Sequence, residues 1–100
     1  MTPRLLDFAP AAWAAYQGQR GHEIGGRLKR ALECLAADPA AVRTDPRSRR
    51  YQIVEEQVRQ PPEVWGLQLD GLDDSRWLVV WRETEHVIEI GYIGPAEGAY

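Results

Sequence analysis

This chain contains little cysteine and no long apolar run. Cys34 is its only cysteine, so an internal disulfide is excluded. No stretch approaches the roughly 20 apolar residues of a membrane helix, and no signal-peptide core follows Met1. These absences predict a cytoplasmic protein without membrane association. Cys34 stands between Leu32 and Leu35, a neighbourhood that favours a buried, inert thiol over a nucleophile.

The patterns that hold cofactors are also missing. The histidines and the cysteine do not have the spacing of metal ligands, and no glycine-rich loop of the phosphate-binding kind occurs. We therefore predict no metal site and no cofactor.

A surplus of positive charge is absent as well. The net charge of −3 argues against broad electrostatic binding of nucleic acid, which usually requires a strongly basic face. The charge is unevenly distributed, since residues 1–60 carry ten basic and seven acidic side chains and residues 61–100 carry two and eight. Four arginines lie within eight residues, with Asp45 as the only acid among them, and form either a solvated loop or an anion site: Arg43, Arg47, Arg49 and Arg50.

The composition that remains indicates one folded domain over residues 1–100, at 44% hydrophobic and 27% charged. Its clearest pattern lies in residues 76–95, where two runs of β-branched and aromatic residues, 77–82 and 86–92, are joined by three residues. This spacing predicts an antiparallel hairpin, ended by Gly94 and Pro95 because proline has no N–H for the ladder.

Alternation along this hairpin separates two faces of the predicted sheet. We predict that Leu78, Val80, Ile88 and Ile90 share the face that packs in the core. The opposite face would then combine tryptophan with charge, through Trp77, Trp81, Glu83 and Glu89.

The rest of the chain supplies helices and further strands. Residues 4–8 predict a first strand, residues 11–17 an alanine-rich helix after Pro10, and residues 22–37 a helix that ends at Asp38 and Pro39. The second helix has an apolar stripe at intervals of three and four, formed by Ile24, Leu28, Ala31, Leu32 and Leu35. Residues 40–48 predict a loop, and residues 51–54 and 64–69 two more strands.

This order predicts an α+β fold. An N-terminal strand and two helices would pack with a 4–5 stranded, mainly antiparallel sheet, the helices covering one face of it. The other face would be left open to a partner.

The same order resembles the RelE/ParE superfamily of toxins from type II toxin–antitoxin systems. Residues 5–12 (LLDFAPAA) resemble the family's opening into its first helix, and residues 32–39 (LECLAADP) its helix exit. Residues 64–67 (VWGL), 77–82 and 88–94 resemble its later strands. The resemblance covers nearly the whole chain but rests on loose, mostly hydrophobic motifs, which bear on fold more than on activity.

The resemblance implies a toxin that either cuts messenger RNA on the ribosome or poisons DNA gyrase. RNA cleavage of this kind needs a base for the 2′-hydroxyl, cations for the phosphorane charge and an acid for the leaving oxygen. The catalytic candidates that it suggests are Arg49, Arg50, Arg82 and Tyr100. The set is incomplete, because Leu78 stands where family nucleases often have an arginine, and Pro95 and Ala96 follow Gly94 where they often have basic residues.

We therefore expect first a RelE-like toxin acting as a ribosome-dependent mRNA endoribonuclease. The alternatives are a ParE-like or other non-nucleolytic toxin with a protein target, and a non-toxic protein-binding module on the same scaffold. The resemblance also implies a cognate antitoxin, a chain that is typically disordered alone and wraps the toxin. Trp77 and Trp81, two residues apart on one strand face, are the predicted partner-binding pair unless a helix or the C-terminal tail covers them.

Overall fold

A computed structural model describes residues 4–51, 64–70 and 76–96. Its helices are α1 (Pro10–Gly18), α2 (Glu23–Ala37) and α3 (Pro39–Arg43). Its strands are β1 (Leu5–Phe8), β2 (Ser48–Tyr51), β3 (Val64–Asp70), β4 (Arg76–Glu83) and β5 (Val87–Pro95). The strands form one sheet in the order β1-β5-β4-β3-β2, in which β1 runs parallel to β5 and every other pair is antiparallel. The predicted α+β architecture is confirmed.

The main core lies between the helices and one face of this sheet. The apolar stripe predicted for α2 is buried, and Leu28 and Leu35 are fully enclosed. These side chains meet Leu67 and Val79 of the sheet, while Phe8 packs against the edge of the same cluster. Burial of such a stripe supplies most of the stability of a helix of this length.

The end of α2 differs from the prediction. Asp38 and Pro39 do end α2, but the residues predicted as a loop begin with a short third helix, α3. The Asp38 carboxylate accepts a hydrogen bond from the backbone N–H of Ala41 at 3.2 Å, and Pro39 occupies the first turn. A capping aspartate and a proline in the first turn both favour a helix start, so the same two residues end one helix and begin the next.

The predicted burial of Cys34 is wrong. Its side chain is exposed, although Leu32 and Leu35 on either side are buried. Successive residues of an α-helix point about 100° apart, so neighbours in sequence need not share the buried stripe.

The predicted faces of β4 are reversed. Trp77, Val79 and Trp81 point toward the helices together with Ile88 and Ile90, whereas Leu78 and Val80 lie on the opposite face. Trp81 is 1% exposed, and Trp77 is partly buried against the main core. Neither tryptophan is therefore on an open face of the sheet.

Among the described residues, no helix is both long and apolar enough to cross a membrane.

Candidate functional site on the far face of the sheet

The sheet face opposite the described helices, here called the far face, carries a second apolar cluster. Val64, Leu78 and Val80 are buried in it, and Tyr92 and Ala96 pack against them. The Tyr92 hydroxyl donates to the carbonyl oxygen of Pro95 at 2.8 Å, which ties the end of β5 to this cluster.

A row of polar residues crosses the far face beside this cluster. The strand register aligns Asp7 with Glu89, Glu89 with Arg82, and Arg82 with Val64. Tyr51 of β2 pairs with Val64, so its position continues the row to the other edge of the sheet. Directly opposed residues in neighbouring strands lie about 5 Å apart, close enough for their side chains to interact.

Arg82 and Glu89 form the charged centre of this row. The Arg82 Nε donates to Glu89 Oε2 across the β4–β5 pair, and the two side chains are 43% and 33% exposed. Both groups therefore remain accessible to a molecule that docks on the far face. A pair exposed to this degree contributes only about 0–1 kcal/mol to stability, so its exchange for another partner costs little.

The structure puts some of the predicted catalytic residues on the same face of the sheet and others on opposite faces. Arg49 pairs with Gly66, which lies two residues along β3 from Val64, the register partner of Arg82, so the position of Arg49 is on the same face. Arg50 pairs with Trp65, whose row belongs to the helix side, so Arg49 and Arg50 occupy opposite faces. Tyr100 lies outside the described residues.

Glu89 is a candidate site residue that the sequence did not single out. Alternation predicted that Glu89 lies on the face with charged residues, but no role was predicted for it. Only the strand register shows that Glu89 lies beside Arg82. Together the two side chains offer a carboxylate that can accept a proton and a guanidinium that can hold a phosphate. RNA cleavage also needs an acid for the leaving oxygen, and we assign that role to none of the described residues of the polar row.

A groove lies on the helix side of the sheet, between α2, α3 and β3. It encloses about 610 Å³, and its walls include Arg27, Arg30 and Arg47 as well as Cys34. Much of its positive charge is matched, since Arg27 pairs with Glu23 and Arg47 with Asp45. Because Arg47 donates from its side chain and its backbone N–H, the pKa of Asp45 is lowered from its ordinary value of 3.8. The groove is thus close to neutral and is set apart from the charged row of the far face.

Comparisons with protein-family models, with curated proteins and with solved structures find no match for this chain.

Proposed function

We propose that this chain is a RelE-like toxin of a type II toxin–antitoxin system, which cuts messenger RNA on the ribosome at the far face. The observation that carries the proposal is the Arg82–Glu89 pair, which is partly exposed and lies in a row that also contains the position of Tyr51. The resemblance to the RelE/ParE superfamily supports the same function. A toxin of this kind acts in the cytoplasm, and the proposal includes that location.

Arg82 and Glu89 would have different roles in the cleavage of RNA. When the phosphate of a bound RNA replaces Glu89 as the partner of the Arg82 guanidinium, the Glu89 carboxylate becomes available to accept the proton of the attacking 2′-hydroxyl. Arg82, with Arg49 from the same face of the sheet, would stabilise the charge on the phosphorane. Tyr100 remains the proposed acid, as the resemblance implies.

The test is induced expression in a host without the antitoxin, with growth followed and transcript 5′ ends mapped. We expect growth arrest and new codon-linked ends from the natural chain. Arg82→Ala and Glu89→Gln should reduce cleavage by about 100-fold or more, the usual range for loss of a general base or a charge-stabilising group.

Two matched variants control for a general effect of lost charge. Arg30→Ala and Glu33→Gln alter exposed residues of α2 on the other side of the sheet, so both should keep full cleavage. The assignment of the site is wrong if the two control variants lose cleavage as the far-face variants do. It is also wrong if the far-face variants retain cleavage. Circular dichroism of each purified variant separates a lost site from a lost fold.

Two observations favour a second function, a ParE-like or other non-nucleolytic toxin. Glu89 already neutralises Arg82, and Leu78, where family nucleases often carry an arginine, is 4% exposed in the far-face cluster. Arrest with intact transcripts would support this function and would direct the next assay to supercoiling by DNA gyrase. Absence of arrest would instead support a non-toxic protein-binding module.

The proposed partner is a cognate antitoxin. Trp77 and Trp81 were predicted to anchor it, but Trp81 is enclosed in the main core, so the pair would reach a partner only after a change of structure. The large apolar side chains that the described part of the chain leaves exposed are Leu5, at 74%, and Trp13, at 46%. Protection of Trp13 fluorescence from a soluble quencher by the co-expressed partner would identify α1 as part of the contact.

A further inference from the structure

One edge of the sheet is formed by β1, and among the described strands only β5 lies beside it. The backbone N–H of Ala9, directly after β1, donates to the carbonyl oxygen of Ile90 at 2.9 Å. Backbone groups alternate between the two sides of a strand, so those of Leu6 and Phe8 point away from β5. On that side, no backbone group of the described residues pairs with them.

The two large apolar side chains that are exposed in the described part of the chain flank this edge on opposite sides of the sheet. Leu5 lies on the far face and is 74% exposed. On the helix side, Trp13 is 46% exposed, and the centre of its ring lies 5.0 Å from that of Phe8. A strand that added to β1 would therefore cover both apolar surfaces with side chains from its own two faces.

The charge beside this edge is negative. Asp7 is exposed and makes no hydrogen bond or ion pair with any described residue. Its register partner in β5 is a second carboxylate, Glu89, which pairs with Arg82. These three side chains leave one negative charge uncompensated. Opposite charges in directly opposed cross-strand positions stabilise a sheet, so a base opposite Asp7 fits this edge better than an acid.

A second copy of this chain fits the edge poorly. Two copies related by a two-fold axis would pair antiparallel through β1. Both Leu6 and Phe8 of each copy find partners only when Leu6 lies opposite Phe8 of the other copy. That register sets Asp7 of one copy directly opposite Asp7 of the other. Like charges in opposed positions destabilise a sheet, so the edge favours a different chain.

We propose that the free edge of β1 binds an extended segment of another protein, which adds to the sheet as an antiparallel strand. Its residue opposite Asp7 would be basic, and its other residues that face β1 would be apolar. Main-chain hydrogen bonds to Leu6 and Phe8 would supply the affinity, and the alternating side chains would supply the specificity. The inference depends neither on RNA cleavage at the far face nor on the partner being an antitoxin.

A synthetic peptide tests the proposal. The probe is Thr-Ile-Lys-Val-Leu-Thr, blocked at both ends, whose lysine lies opposite Asp7 when its isoleucine lies opposite Phe8. It is titrated into the full ¹⁵N-labelled chain, and the amide signals are followed by nuclear magnetic resonance. We expect saturable shifts at Leu6 and Phe8 and slower exchange of their amide protons with solvent. The amide of Ala9, which is already bonded to Ile90, should keep its exchange rate.

Two control peptides separate strand addition from other contacts. The first carries N-methyl groups on the isoleucine and the valine, whose N–H groups would face β1, and it should not bind. The second has glutamate in place of lysine and should bind about three- to tenfold more weakly, because a like charge replaces an opposite one. Absence of saturable shifts with the lysine peptide overturns the proposal, as does equal binding of the N-methylated peptide. Equal affinity for the lysine and glutamate peptides overturns the charge assigned to the partner.

Two variants of the chain test the role of Asp7. Asp7→Lys should reverse the preference, so that the glutamate peptide binds more tightly than the lysine peptide. Glu33→Lys makes the same change of charge at an exposed residue of α2, and this matched control should keep the original preference. If Asp7→Lys still prefers the lysine peptide and its spectrum remains dispersed, the assigned register is refuted.

Sedimentation of the chain alone tests the other occupant of the edge. We expect a chain that does not self-associate through β1. A dimer in which the amide protons of Leu6 and Phe8 are protected from exchange would overturn the proposal, because a second copy would then occupy the edge.

Discussion

Two adjacent glycines at the start of α2 should respond in opposite ways to the same substitution. Gly25 is buried, and a methyl group at this position would lie 2.1 Å from the backbone carbonyl oxygen of Gln19 and 2.9 Å from its carbon. That carbonyl accepts a hydrogen bond from the N–H of His22 at 3.0 Å, which holds it in place. At Gly26, which is exposed, a methyl group would meet nothing within 4 Å.

The two effects can be estimated separately. Alanine is favoured over glycine within a helix by roughly 0.5–1 kcal/mol, and Gly26→Ala should gain about this amount of stability. Gly25→Ala gains the same propensity but forces the backbone of the α1–α2 connection to move, and overpacking of this kind typically costs about 1–3 kcal/mol. Backbone cannot rotate aside as a flexible side chain would, so we take the upper part of that range. The net expectation is a loss of about 1–2 kcal/mol.

The measurement is unfolding by urea and by heat, followed by circular dichroism. In a domain of this size a change of 1 kcal/mol moves the melting temperature by about 4–8 °C, so the two variants should separate by at least that interval. Equal stabilisation by both alanines would show that residue 25 does not approach Gln19 and would refute the path described for this connection. Equal destabilisation would instead refute the helical position assigned to Gly26.

Three further predictions follow from single contacts. Asp38→Ala removes the cap of α3 and should cost about 1 kcal/mol of unfolding free energy in urea denaturation, whereas Asp38→Asn should cost less. For Asp45, whose pKa is lowered in the folded chain, the contribution to stability is present above its ordinary pKa of 3.8 and is lost as the pH falls through the lower folded value. Asp45→Asn should therefore be less stable than the natural chain at neutral pH, with the difference closing below about pH 4, as unfolding across a pH series would show. Cys34, which is exposed, should react with a thiol reagent in the native chain nearly as fast as in urea, and strong protection would contradict its position on α2.

The helices were largely predictable because their signals are local. The buried stripe of α2 followed from spacing alone, and its end followed from Asp38 and Pro39. The helix α3 was missed because the same two residues were taken only as a stop signal. Their capacity to start a helix was equally visible, since a capping aspartate before a proline favours a first turn.

The faces of β4 were not predictable from alternation. Leu78, Val79, Val80 and Trp81 are all buried, so the strand is apolar on both sides and its pattern does not show which side meets the helices. The irregularity in β5 adds to the difficulty. Val80 pairs with Tyr92 and Trp81 with Ile90, so the residue between them, Gly91, has no partner in the ladder. The extra residue moves Ile90 and Ile93 onto the same side although they are three residues apart.

The candidate site depends on this register more than on any motif. Arg82 was predicted as a basic candidate, but Glu89 becomes a candidate only because the hairpin aligns it with Arg82, and Asp7 joins the row through a parallel pairing with β5. A slip of one residue in a strand moves each of its side chains to the opposite face. The same slip would bury Arg82 against the helices and separate it from Glu89. The apolar residues that fix the register, with Trp81 fully enclosed, thus also hold the charged pair on the far face, although none of them belongs to the pair.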